Sequence, residues 1–238
     1  MAIDVKKEFS KFVLLILKLN KMKKIILTVA AICAVSFANA QDIKFGVKAG
    51  LNISNVTGDY QNEFDAKSLI GLQIGGFAEI GISDKLAFQP ELLYSMQGAK
   101  TEFSESFEGF SASGESTLKL NYLNVPLLLK YKLADKFSIL AGPQVGLLMS
   151  AEQEFTFTET FDGETFSESG TEDVKENYES ILLSFNVGAS YSITDNIFVD
   201  ARYNLGLSNL LKDQTFEGET FSLDGSMNVL QFSVGYKF

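Results

Sequence analysis

From Ile43 to the C-terminus, apolar side chains return at every second position in segments of ten or more residues, and that period belongs to strands with two unlike faces. Ile181, Leu183, Phe185, Val187, Ala189 and Tyr191 share one face of such a segment, while Ser184, Asn186, Gly188, Ser190 and Ser192 share the other. The same division recurs at Ile197, Val199, Ala201, Tyr203, Leu205 and Leu207 against Asp200, Arg202, Asn204, Gly206 and Ser208. After Gln41 no apolar run approaches the roughly twenty residues of a membrane-crossing helix.

The spacing predicts strands near 43–53, 69–82, 86–98, 117–133, 137–150, 180–193, 197–209 and 227–238. Three connections are tight: Ser83-Asp84-Lys85, Ala134-Asp135-Lys136 and Thr194-Asp195-Asn196. The four others, near 54–68, 99–116, 151–179 and 210–226, are long, and long and short connections alternate without exception. An even number of strands joined in this way describes an up-and-down barrel with short turns at one rim and large loops at the other.

Upstream, Met22-Lys23-Lys24 leads into an apolar run from Ile25 to Phe37 and then to Ala38-Asn39-Ala40, the three regions of a secretory signal. Cleavage is expected after Ala40, with Ala38 and Ala40 as the small residues the peptidase reads. Residues 22–40 are then the signal peptide, 1–21 an extension ahead of the true start, and 41–238 one barrel domain. Cys33 follows bulky Ile32, a poor fit to lipoprotein processing, so no lipid anchor is expected.

Composition narrows the chemistry. Cys33, the only cysteine, lies inside the export signal, and the chain has no histidine, which removes thiol catalysis, Ser-His pairs and most zinc or iron sites. Beyond residue 40 the chain holds thirteen basic and 28 acidic residues, a net charge of −15 that disfavours nucleic acid as a partner. No cofactor and no metal site are expected. The acids between Glu152 and Asp173 lack the spacing of a calcium loop.

Alternation alone does not say which face meets lipid, because a small water-soluble barrel would turn the same faces the other way. Export, an even strand count, glycines on the polar face, and aromatics at the strand ends (Phe45, Phe88, Tyr131, Phe137, Tyr191 and Phe238) together put the oily face outward. The expected fold is all-β, an eight-stranded antiparallel up-and-down transmembrane β-barrel in the outer membrane. That parity turns Lys48, Glu79, Glu91, Lys130, Asp200, Arg202 and Lys237 into the lumen. Eight strands leave space only for side chains, so these charges are expected to pair into a plug. A proton-relay or catalytic use of Glu79, Glu91, Asp200 and Arg202 is the alternative for the same cluster.

The long connections carry a repeat: Thr160-Phe-Asp-Gly-Glu-Thr-Phe-Ser167, Thr215-Phe-Glu-Gly-Glu-Thr-Phe-Ser222 and a looser Ser106-Phe-Glu-Gly-Phe-Ser111. An acid before glycine between strand-forming residues is a hairpin signal, so ribbons ending near Gly109, Gly163 and Gly218 are expected to rise past the membrane. Such ribbons could bind a protein by strand addition or pack against one another.

Three phrases carry a family likeness: Phe45-Gly-Val-Lys-Ala-Gly-Leu-Asn52, Gln89-Pro-Glu-Leu-Leu-Tyr-Ser95 and Asn121-Tyr-Leu-Asn-Val-Pro-Leu-Leu-Leu-Lys-Tyr131. With them the chain resembles the PorT-like outer-membrane β-barrel family of the Bacteroidota. The resemblance implies a barrel whose last strand, with Phe232, Val234, Tyr236 and Phe238, is read by the barrel-assembly machinery. It also implies a link to protein secretion. The favoured function is a non-enzymatic structural, interaction or adhesion barrel with acidic extracellular loops, embedded in outer-membrane lipid. A narrow passive channel and an accessory part of a secretion system are the alternatives; a lipid-modifying enzyme ranks last for want of histidine.

Overall fold

The computed structural model describes residues 43–58, 66–108, 110–216, 219–221 and 224–238. The export segment, with Ala38 and Ala40, lies outside the described residues.

Eight strands form the wall: β1 (Ile43–Thr57), β2 (Lys67–Gly81), β3 (Leu86–Phe107), β4 (Phe110–Ala134), β5 (Phe137–Phe161), β7 (Ile181–Ser192), β8 (Ile197–Gly206) and β11 (Ser226–Lys237). β6 (Glu164–Asp173) and the short pair β9 (Gln214–Phe216) and β10 (Glu219–Phe221) lie in the connections. The wall strands pair antiparallel in the order β4-β3-β2-β1-β11-β8-β7-β5, and pairing of β5 with β4 closes the ring. Closure satisfies the backbone N–H and C=O groups of the wall without an exposed edge, the condition for strands to lie in hydrocarbon. The C-terminal residue joins the same ladder, with Phe238 N–H donating to the carbonyl of Phe45 at 2.9 Å.

The tight connections fall where the turn residues put them. Thr194 Oγ1 accepts from the N–H of Ile197 at 2.9 Å, and Ile193 N–H donates to the Ile197 carbonyl at 2.9 Å. The β3–β4 ladder skips between Pro90↔Leu127 and Leu93↔Asn124, where Pro90 and Pro126 have no N–H to give.

Two of the connections expected to be long are mostly strand. β3 runs to Phe107 rather than stopping near 98, β4 begins at Phe110 rather than near 117, and β5 continues to Phe161. β6 then folds back on β5 through Asp162 and Gly163, both in the left-handed region with φ of 50° and 87°. Two such residues make the type I′ turn whose twist suits a two-residue hairpin, which is why an acid precedes a glycine there. The result is a four-stranded antiparallel sheet, β3-β4-β5-β6, continuous with the wall. The hairpin β9–β10 pairs Glu219 with Phe216, and its apex at 217–218 lies outside the described residues.

Candidate functional site

The outward positions of the wall are oily and open: Leu72, Ile74, Leu92, Leu129, Val187 and Val234 are all exposed. Inward positions alternate with them and are buried. The interior they fill is arranged in levels.

Nearest the short turns, Glu79 Oε2 accepts from Lys130 Nζ at 2.7 Å and lies 3.0 Å from Lys237 Nζ. Both ammonium groups stand 5.5 Å from the ring centre of Phe198, which meets Phe77 edge-on at 5.4 Å. These rings need glycine beneath them: a Cβ on Gly46 would run into the Phe77 ring, and one on Gly235 into that of Phe198.

One level up, Arg202 forks onto Glu91 with two hydrogen bonds of 2.8 Å and reaches Asp200 Oδ2 at 3.0 Å. Lys48 Nζ donates to the same Asp200 oxygen at 3.0 Å and lies 3.6 Å from Glu91. Gln89 adds a donor to Glu91 at 2.6 Å. Two cations and two anions cancel, and the bidentate geometry and shared partners give each buried charge a counter-charge.

Above this quartet comes a band of amides and hydroxyls. Asn52 donates to Ser95 Oγ at 2.9 Å, Gln73 to Ser233 Oγ at 2.9 Å, Asn186 to Gln144 at 3.1 Å and Asn204 to Ser184 Oγ at 2.9 Å. A cavity among Gln97, Tyr122, Asn124, Gln144 and Asn204 measures about 10 Å³, space for about one water.

The loop-side end is apolar. Val56, Leu118, Leu120, Tyr122, Leu148, Met227 and Val229 from the wall pack with Tyr178 and Leu210 from the connections. Those connections are stitched together over the mouth, Glu179 N–H to the Leu210 carbonyl at 2.9 Å and Lys212 N–H to that of Asn177 at 3.0 Å. Ion pairs therefore account for only part of the filling that was expected of them. The periodicity did not single out the apolar cap, nor Phe77 and Phe198 among the inward residues.

The protruding sheet has two faces set by the same registers. Phe103 pairs with Gly114, Gly114 with Phe157, and Phe157 with Glu168, so these four share a face. Seven phenylalanines lie on it, Phe103, Phe107, Phe110, Phe155, Phe157, Phe161 and Phe166, and through Ala99↔Leu118↔Gln153 it continues the inward face of the wall. Phe103 lies over Gly114 and Phe155 over Gly170, where a Cβ would meet the ring. The opposite face is hydroxyls and ion pairs: Glu102 with Lys67 at 2.7 Å and Lys100 at 3.0 Å, Lys100 with Glu115 at 2.9 Å, and Lys119 with Glu154 at 2.6 Å. Hydrogen bonds from Lys67 and then Lys100 hold the Glu102 carboxyl down at about 2.

Phe232, Val234 and Tyr236 of β11 and Phe238 directly after it are all exposed on the outward face, with the Tyr236 and Phe238 rings 5.6 Å apart.

Several solved structures of membrane barrels align with the chain at low identity. Ail, the attachment invasion locus protein of Yersinia pestis, is 13% identical, with 83% of this chain and 100% of that one covered at a TM-score of 0.38. Neisserial surface protein A is 15% identical over 83% and 100%, with a TM-score of 0.43. A major outer membrane protein of Thermus thermophilus is 14% identical over the same shares, also at 0.43. No curated protein matches the chain. The family model described as the outer membrane protein beta-barrel domain matches residues 38–212, and with its closed ring of eight strands and its oily outward face this chain belongs to that family and resides in the outer membrane.

Proposed function

We propose that the chain is a non-enzymatic barrel that acts at the cell surface by holding out a protein-binding sheet from a shut cylinder. The observation that carries this reading is the four-stranded sheet itself. β3, β4 and β5 do not stop where their outward faces cease to be oily, and β6 extends the sheet and stands at the end of its strand order. A paired sheet fixes backbone that loops would leave to conformational entropy, a form suited to presenting residues to a partner. The interior supports the shut cylinder: a neutral ion quartet, an amide band and an apolar cap leave little space for a hydrated ion.

The test has two arms. Purified protein in planar bilayers gives no reproducible single-channel steps; regular steps would favour the passive channel instead. Crosslinking on intact cells captures protein partners, and replacing residues 102–115 and 154–171 by short turns abolishes those crosslinks while the barrel remains in the membrane. An unchanged crosslink pattern after trimming would remove the sheet from the function.

A second reading, an accessory part of a protein-secretion system, is favoured by Tyr122-Leu-Asn-Val-Pro-Leu-Leu-Leu-Lys-Tyr131 and its likeness to the PorT-like family. It predicts that a deletion strain retains secreted cargo in the periplasm. For assembly, the outward aromatics of β11 up to Phe238 offer the barrel-assembly machinery its recognition strand, and Phe238→Ser slows insertion.

A further inference from the structure

The phenylalanine face of the protruding sheet has no counterpart in the chemistry of a wall or a plug, and its charge is one-sided. Phe107, Phe161 and Phe166 at its outer end are 70, 66 and 63% exposed. Residues 100–119 and 152–173, which make up the sheet, contain twelve acids and two lysines. Both lysines lie on the other face, already paired with Glu102, Glu115 and Glu154. On the phenylalanine face itself the registers put Glu105, Glu159, Glu164, Glu168 and Glu172, and no lysine or arginine.

A surface of rings whose charged neighbours on the same face are all carboxylates selects among occupants. A second copy would set five glutamates against five others, and the anionic headgroups of a membrane would be repelled in the same way. Lysine and arginine are attracted twice, by the carboxylates and by the ring faces, while apolar side chains of the same partner cover exposed phenylalanine.

We infer that this face docks a basic amphipathic protein segment, one in which lysine or arginine alternates with apolar residues. The inference rests on the reading of the sheet as a protein-binding element and names the partner's chemistry. Rings supply the contact area and glutamates the selection and the association rate.

The experiment uses the full chain in phosphatidylcholine nanodiscs, with empty nanodiscs subtracted, and three fluorescent peptides alternating lysine with leucine, glutamate with leucine, and lysine with serine. The lysine–leucine peptide binds saturably, and each of the others binds about tenfold or more weakly. Substituting Phe107→Ser, Phe161→Ser and Phe166→Ser together weakens it about tenfold. Glu105→Gln, Glu159→Gln and Glu164→Gln together also weaken it and flatten its salt dependence. Thr158→Ala, on the opposite face, leaves it unchanged. Equal binding of the glutamate–leucine peptide, or full affinity in both triple variants, overturns the inference. If trimming the sheet removes the cell-surface crosslinks yet the lysine–leucine peptide does not bind, the docking role stands and a basic amphipathic partner is ruled out.

Discussion

The wall and the protruding sheet share three strands, β3, β4 and β5, yet they wear their alternation in opposite senses. In β4 the outward positions Leu123, Val125, Leu127 and Leu129 are oily and the inward Asn124 and Lys130 polar. From Asn121 upward, the outward positions become Asn121, Lys119, Thr117 and Glu115, and the apolar residues Leu120, Leu118 and Phe110 turn inward. β3 changes over between Met96 and Lys100, and β5 between Met149 and Glu152. The period of two is a property of the backbone; which face is oily is a property of the solvent outside it. The level of reversal therefore marks where hydrocarbon gives way to water. That level is also where the lumen filling changes from amides to the apolar cap.

The contrast can be broken most severely at the charges. Arg202→Ala leaves Glu91 and Asp200 buried with Lys48 alone, and the expected loss is about 3–5 kcal/mol in denaturant unfolding from lipid. Lys119→Ala removes a half-exposed pair with Glu154 in the sheet and costs under about 1 kcal/mol. Comparable costs for the two would mean that the interior is as wet as the sheet.

A lysine placed on the outward face tests the solvent directly. Val187→Lys, facing acyl chains, destabilises by about 2–4 kcal/mol near the bilayer midplane. Thr156→Lys, on the outward face of the sheet, changes stability by about 0.5 kcal/mol or less.

The smallest effect lies in the ion pairs at the sheet's base. Depressed by its lysines, Glu102 contributes its pairing at pH values above the ordinary carboxylate range and loses it as the pH falls through about 2. Lys100 is shifted up by Glu115 and then Glu102, so its share is present below the ordinary lysine range and fades as pH rises through its raised value. Carbon-13 NMR of the Glu102 carboxyl shows a midpoint near 2; a midpoint near 4.5 would dissolve the network.

Much of the fold was legible because a barrel wall is two-sided: alternation in β7 and β8 shows both faces in every residue pair, and turn residues bound each strand. The strand count followed from that. Strand ends were less legible in β3, β4 and β5, because the reversal at Met96, Asn121 and Met149 reads as the end of a pattern rather than its inversion. The repeat around Gly163 nonetheless marked its hairpin, since the type I′ turn demands those residue types. Leu118, Leu120 and Leu148 did not register as a cap, because alternation tells which way a side chain points and not which distant loop will cover it. Tyr178 and Leu210 come from two separate connections, and only the tertiary fold brings them together. Phe77 and Phe198 were missed for a related reason: a large ring on the inward face makes sense only beside Gly46 and Gly235 of other strands.

The most direct measurement uses single cysteines placed within residues 41–238, which otherwise contain none. Spin labels are attached at Val187→Cys, Asn186→Cys and Thr156→Cys, and their collisions are compared with oxygen, which dissolves in lipid, and with a nickel chelate, which stays in water. With the oily rows in lipid, oxygen reaches 187, the chelate reaches 156 and neither reaches 186. A label at 187 shielded from both reagents, with 186 open to the chelate, would mean that the oily rows are buried and the barrel is turned inside out.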